Sequence, residues 1–161
     1  RLGFDVQYLP VFEQSHSEPG RIDLQQLADS ITDNTCLVSV MLANNEIGVL
    51  QDLRGISEIC QAAGVPLHTD ATQAVGRVPI DVKKLGIDLL SFSSHKFYGP
   101  KGIGGLFIRK SRPAIRLAPI FLGGGQEGGV RSGTLNPPGI VGMATALKLC
   151  SEQLDEEEAG L

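Results

Sequence analysis

Apolar positions along the chain alternate between a helical and an extended period, and the changes of period mark its elements. Leu24, Leu27, Ala28 and Ile31 recur at i, i+3, i+4 and i+7, which predicts an amphipathic helix opened by Asp23. The apolar run Cys36–Leu42 predicts a buried parallel strand. Asp52 then caps a second helix whose inner face carries Leu53, Ile56, Cys60 and Ala63, and Gly64 ends it. Val65–His68 is the next predicted strand, followed by Ala71–Val75 and a turn at Gly76. Ile87–Phe92 and Ile103–Ile108 complete the central strands. The link between these two is too short for a helical crossover, so they are expected to run antiparallel. A long helix is predicted from about Pro138, and Val6, Tyr8, Pro10 and Phe12 alternate as a strand would. Strands interleaved with helices predict an α/β sheet, and residues 1–161 show no repeat, low-complexity tract or linker, so one domain is expected.

Composition narrows the function classes. The chain has 161 residues, 42% hydrophobic and 20% charged, which suits an ordinary globular domain with a substantial core. A net charge of −4 gives no electrostatic footprint for nucleic acid or an acidic membrane surface. No apolar run approaches the roughly 20 residues that span a bilayer. The three cysteines, Cys36, Cys60 and Cys150, are widely spaced with no metal-ligand pattern, which points to a reducing compartment. Lying in a predicted strand and on apolar helix faces, they read as packing residues. Both ends read as interior to a longer protein. Arg1 opens almost directly in the alternating pattern, and the acidic Glu156–Glu158 oppose the macrodipole at the end of the last helix, which is expected to continue.

Candidate chemistry centres on Ser93-Ser-His-Lys-Phe-Tyr-Gly-Pro-Lys-Gly102. It places Lys96 at the end of an apolar strand, just before a glycine-rich turn. Burial disfavours an ammonium ion and lowers its pKa, the condition that Schiff-base chemistry requires. Asp70 closes another apolar strand in His68-Thr-Asp-Ala-Thr-Gln73. A lysine for an aldehyde and an aspartate for a pyridinium nitrogen, at neighbouring strand ends, suggest a pyridoxal phosphate site. Taken alone, Asp70 reads rather as the N-cap of the following turn, and the alternative for either amide, Asn45 or Gln73, is a loop residue satisfying backbone groups. His68 reads as a structural histidine. A metal triad of His68, Asp70 and His95 would leave Lys96 and the glycine loop unexplained.

These two segments, with Met41-Leu-Ala-Asn-Asn-Glu-Ile-Gly48 before them and Gly123-Gly-Gly-Gln-Glu-Gly-Gly-Val-Arg-Ser-Gly-Thr134 after them, resemble the cysteine desulfurases, pyridoxal phosphate enzymes of the class V aminotransferase superfamily. The motifs occur in the family's order and at nearly its spacing. The resemblance implies a fold-type I architecture: a three-layer α/β sandwich with a mostly parallel central sheet, of which this chain would be the central part of the large cofactor-binding domain. It implies Lys96 as the catalytic lysine, Asp70 on the ring nitrogen, Gln73 on the phenolic oxygen and Asn45 beside the ring. Ser93 and His95 would contact the phosphate, and Thr134 would reach the phosphate of a partner subunit in a homodimer. Gly128 stands where many relatives carry arginine.

The same resemblance implies conversion of L-cysteine to L-alanine, with the sulfur held as an enzyme persulfide and passed to an acceptor such as an iron–sulfur scaffold. It also implies a cytoplasmic location, or a mitochondrial one in a eukaryote. None of the three cysteines matches the family's sulfur-accepting position, expected downstream of Leu161. Selenocysteine lyases share several of these motifs, and a truncated, non-catalytic binding module is the alternative of another class.

Overall fold

The computed structural model describes residues 3–110 and 113–159. Four strands, β1 (Val38–Met41), β2 (Leu67–Asp70), β3 (Leu89–Ser93) and β4 (Gly104–Ile108), form one sheet in the order β1-β2-β3-β4. The first three run parallel and β4 pairs antiparallel with β3, as its short connection requires. Helices α1 (Leu24–Ser30), α2 (Leu53–Ala63) and α3 (Pro137–Ala159) complete the mostly parallel α/β architecture. The expected continuation of α3 past Leu161 lies outside the described residues.

Each short helix forms where the chain supplies its end groups. The Asp23 carboxylate accepts from the amides of Gln25 and Gln26 at the start of α1, and Asp52 accepts from Gly55 at the start of α2. Such caps contribute about 1 kcal/mol each. Gly64 takes a left-handed conformation (φ 70°) that turns its N–H back onto the carbonyls of Cys60 and Gln61 and stops α2.

Strand residues alternate between two faces. Val38 and Val40, Leu67 and Thr69, and Leu90 and Phe92 share one face, where the aliphatic side chains meet Leu27 of α1 and Leu53, Ile56 and Cys60 of α2. Burying each large aliphatic side chain stabilises the fold by about 1.5–3 kcal/mol. Burial and the nearby Asp88 charge push the Cys60 thiol up to about 11, so it stays protonated and packs as an apolar group. Cys150 of α3 is likewise buried, against Phe97 and Ala146. The opposite face carries Ser39, His68, Asp70, Ser91 and Ser93.

Two expectations are corrected. Cys36 is exposed and precedes β1, rather than packing in a strand. The β1–β2 ladder begins only at Val38, whose N–H donates to the Pro66 carbonyl, and Pro66 has no N–H to pair further back. The alternation through Val6 and Phe12 is no strand either, apart from an isolated bridge between Val11 and Ile22. Val6 and Tyr8 are exposed, so no buried face rewards the pattern.

Candidate cofactor site

Register brings the candidate residues to one end of the sheet. Met41 of β1 pairs with Asp70 of β2, and Asp70 with Ser91 of β3, in strands about 4.8 Å apart. The segments leaving these three strands carry Asn45, then Gln73, then His95 and Lys96. This is the carboxyl edge of a parallel sheet, where open α/β folds bind ligands.

The local hydrogen bonds separate structural groups from available ones. The Asx bond at the β1 exit belongs to Asn44, whose Oδ1 accepts from the amides of Glu46 and Ile47 at 2.8 and 3.0 Å. Asn45 beside it is exposed, and its side-chain amide makes no hydrogen bond among the described residues. Asp70 serves as a cap with one oxygen only: Oδ1 accepts from the Thr72 amide at 2.8 Å, and the second oxygen has no partner among the described residues. The capping reading of Asp70 and the ligand-binding one are therefore compatible. Gln73 is half-buried and its amide is likewise uncommitted.

Lys96 does not sit within β3. It lies on the single 3-10 turn Ser94–Phe97 that follows, and it is half-buried rather than buried. Its ammonium forms no ion pair among the described residues. Ser94 and Phe97 anchor this turn in the interior, while His95 is exposed and its Nδ1 meets Ser93 Oγ at 2.9 Å. Ser94 Oγ is buried without a hydrogen-bond partner among the described residues, in the space a side chain at Gly99 would need: a Cβ there would lie 2.0 Å from it. The glycine of Tyr98-Gly-Pro is thus set by packing.

Ser93 and His95 line a shallow depression of about 440 Å³ together with Lys101, Gly102, Ile103 and Gly104. Lys96, Asp70 and Gln73 do not line it, so the depression accounts for part of the candidate site rather than all of it. Lys101 is a lining group that sequence reasoning passed over, although it stands in the same glycine-rich turn as Lys96.

His68 is engaged at both ring nitrogens. Its Nδ1 meets Ser39 Oγ at 2.8 Å and its Nε2 meets Ser91 Oγ at 3.2 Å, tying three strands on the face that carries Asp70. Burial holds its pKa below the usual histidine value, with the Asp70 charge opposing that shift. Its structural reading stands. The hydroxyl–imidazole–hydroxyl ladder depends on register, which a one-dimensional reading of His68 did not supply. Among the described residues no three His, Cys, Asp or Glu side chains gather to hold a metal, so the His68–Asp70–His95 triad is not assembled.

Thr134 is not joined to this cluster. It is exposed at the end of a loop held by its own contacts: Arg131 Nη1 donates to the Gly133 carbonyl at 3.1 Å, and the Gly133 amide donates to Gln126 Oε1 at 2.9 Å. Ile120, Phe121 and Leu122, just before the glycine run, are exposed as well.

Pyridoxal phosphate fits the donor set at the strand ends. An uncommitted carboxylate oxygen suits a protonated ring nitrogen, a free amide suits a phenolic oxygen, and an unpaired amine suits an aldehyde. The Ser93 hydroxyl, the His95 imidazole and the Lys101 ammonium around an open depression suit a phosphate.

The chain is 51% identical over 157 residues to the mitochondrial cysteine desulfurase of Saccharomyces cerevisiae, covering 98% of this chain and 30% of the relative. Among solved structures, a NifS-like protein superposes with a TM-score of 0.87 at 42% identity, covering 96% of this chain and 40% of that one. A structure described as SspA in complex with cysteine matches with a TM-score of 0.83 and 42% identity, covering 91% and 40%. The chain therefore spans well under half the length of these proteins. Residues 1–159 match the family model described as Aminotransferase class-V, and on that match the chain belongs to the class-V aminotransferase family.

Proposed function

We propose that this chain is the central part of the large cofactor-binding domain of a pyridoxal phosphate-dependent cysteine desulfurase. The observation that carries the reading is a pair of groups at adjoining strand ends that are uncommitted among the described residues: one carboxylate oxygen of Asp70, the last residue of β2, and the amine of Lys96 after β3. When bound, pyridoxal phosphate supplies an aldehyde for amines and a ring that accepts the electrons left on a substrate's Cα.

The chain's own residues have distinct tasks. Lys96 Nζ would hold the aldehyde. The free oxygen of Asp70 keeps a proton on the ring nitrogen. Gln73 donates its amide to the phenolic oxygen, and Asn45 contacts the ring side. Ser93 and His95 bind the phosphate, and Thr134 does so in the partner copy of a homodimer. The C–S bond of cysteine breaks as its sulfur bonds to a thiol outside this chain, leaving alanine and a persulfide. An acceptor such as an iron–sulfur scaffold then takes the sulfur, in the cytoplasm or, for a eukaryotic protein, in mitochondria. No helix among the described residues is long and apolar enough to cross a membrane.

Assay of the full-length protein with L-cysteine and L-selenocysteine tests the reading. Equimolar alanine and sulfide released in the presence of a thiol reductant, with cysteine as the favoured substrate, is the expected result. Exclusive use of selenocysteine would make it a lyase, and inertness toward both would make it a binding module.

Sharing of Thr134 has its own test. Inactive Lys96→Ala and Thr134→Ala subunits are mixed under conditions where exchange is demonstrated. If Thr134 serves the neighbouring site, the mixed dimer holds one doubly defective and one intact site, and activity recovers. Absence of recovery would place Thr134 in its own subunit's site.

A further inference from the structure

The turns that leave β2 and β3 are tied together beyond the sheet. The first ends in Gly76-Arg77, and the second is Ser94–Phe97, closed by Tyr98. Gly76 (φ 76°) approaches the second turn so closely that a Cβ there would lie 2.9 Å from Phe97 Cβ and 3.2 Å from Cys150 Cβ. Only a glycine combines that backbone conformation with that approach.

The approach sets Arg77 beside the lysine turn. Its Nη2 donates to the Lys96 carbonyl oxygen at 3.4 Å, and its guanidinium carbon lies 5.8 Å from the centre of the Tyr98 ring. Tyr98 is left-handed (φ 66°), a conformation that a residue with a side chain adopts at a cost and keeps only when its surroundings enforce it. Arg77 contributes to that enforcement by a cation–π contact on an otherwise exposed ring. No carboxylate pairs with Arg77 among the described residues, so its guanidinium is not committed elsewhere.

We propose that Arg77 is a positioning residue for Lys96. It grips the lysine's own carbonyl and the ring two residues on, so that the amine is presented from one backbone geometry. It also links that turn to the segment that begins at Asp70. The inference rests on Lys96 being the residue that holds the cofactor. Arg77 itself acts through the turn and touches neither cofactor nor substrate.

The test uses the full-length protein with Arg77→Met, Arg77→Lys, Tyr98→Leu and the Met/Leu double variant. In the cofactor-free protein, exchange of the Tyr98 and Gly99 amides, both of which donate to the Ser94 carbonyl, reports the turn directly. Arg77→Met should speed it about tenfold, the combined worth of one hydrogen bond and one cation–π contact. In the loaded protein, well below its unfolding temperature, pyridoxal phosphate should dissociate about tenfold faster from Arg77→Met. Arg77→Lys, which keeps the charge and a donor but not the planar guanidinium, should give both readouts values between those of the parent and Arg77→Met. Adding Tyr98→Leu to Arg77→Met should change little further, because the two side chains share one contact.

Unchanged exchange in Arg77→Met overturns the brace. Faster exchange with unchanged cofactor release, while borohydride still fixes the cofactor to Lys96, makes Arg77 a structural residue and overturns its positioning role. A borohydride label elsewhere in the parent sinks the cofactor reading and the positioning role with it, an outcome distinct from either of these.

Discussion

Alanine at position 96 should abolish covalent retention of pyridoxal phosphate and reduce turnover of the full-length protein by about a thousandfold or more. An intramolecular amine meets the aldehyde at an effective concentration no external amine reaches, and removing it forfeits that advantage in cofactor exchange with the substrate. The half-buried ammonium of Lys96 has no ion pair among the described residues, so its loss leaves no charge uncompensated and the fold should survive. Borohydride reduction followed by peptide mapping checks the assignment. In the unsubstituted protein the label belongs on Lys96. Lys101, which lines the depression with Ser93 and His95, is the rival within the same turn, and a label there would overturn the assignment.

Asp70→Asn should separate cofactor attachment from catalysis. The Thr72 amide donates to Asp70 Oδ1 at 2.8 Å, and an asparagine carbonyl can accept the same bond, so the turn after β2 is preserved. The second oxygen becomes an amide that cannot hold a proton on the ring nitrogen, and the ring loses its power to accept electrons from the substrate. Removal of the α-proton should slow by roughly a hundred- to a thousandfold, the range associated with losing one preorganised electrostatic contact to developing charge. Borohydride labelling of Lys96 should persist. Stopped-flow measurement of α-deuterium exchange in cysteine, beside the labelling assay, distinguishes the effects. Normal exchange in this variant would reduce Asp70 to the cap that one of its oxygens already is.

The elements were legible wherever a local rule had a local cause. Asp23 and Asp52 cap the helices expected of them, Gly64 ends α2, and the brevity of the 93–103 connection dictates the antiparallel β3–β4 pair. Misreadings fell where a partner decides. Alternation from Val6 to Phe12 looks like a strand, but no neighbour supplies its hydrogen bonds, and Cys36 lies outside β1 because Pro66 across the ladder cannot donate.

The candidate site divides along the same line. Residue type and place at the strand ends were enough to single out Asp70 and Lys96, because carboxylate and amine chemistry belongs to the side chain itself, whereas Asn45, Gln73, Ser93, His95 and Thr134 were added by resemblance to the cysteine desulfurases. Which of their atoms are free was decided only by the folded neighbourhood. Asn44 takes the turn's hydrogen bonds and leaves Asn45 uncommitted, Thr72 occupies one oxygen of Asp70 and not the other, and His68 is spent between Ser39 and Ser91. The Arg77 contacts with Lys96 and Tyr98 were invisible in the sequence for the same reason. They join segments 19 residues apart, and only parallel β2–β3 pairing with a glycine at position 76 brings those segments within reach. Periodicity and side-chain chemistry are properties of the chain, whereas hydrogen-bond occupancy is a property of neighbours, and neighbours exist only once the sheet has its register.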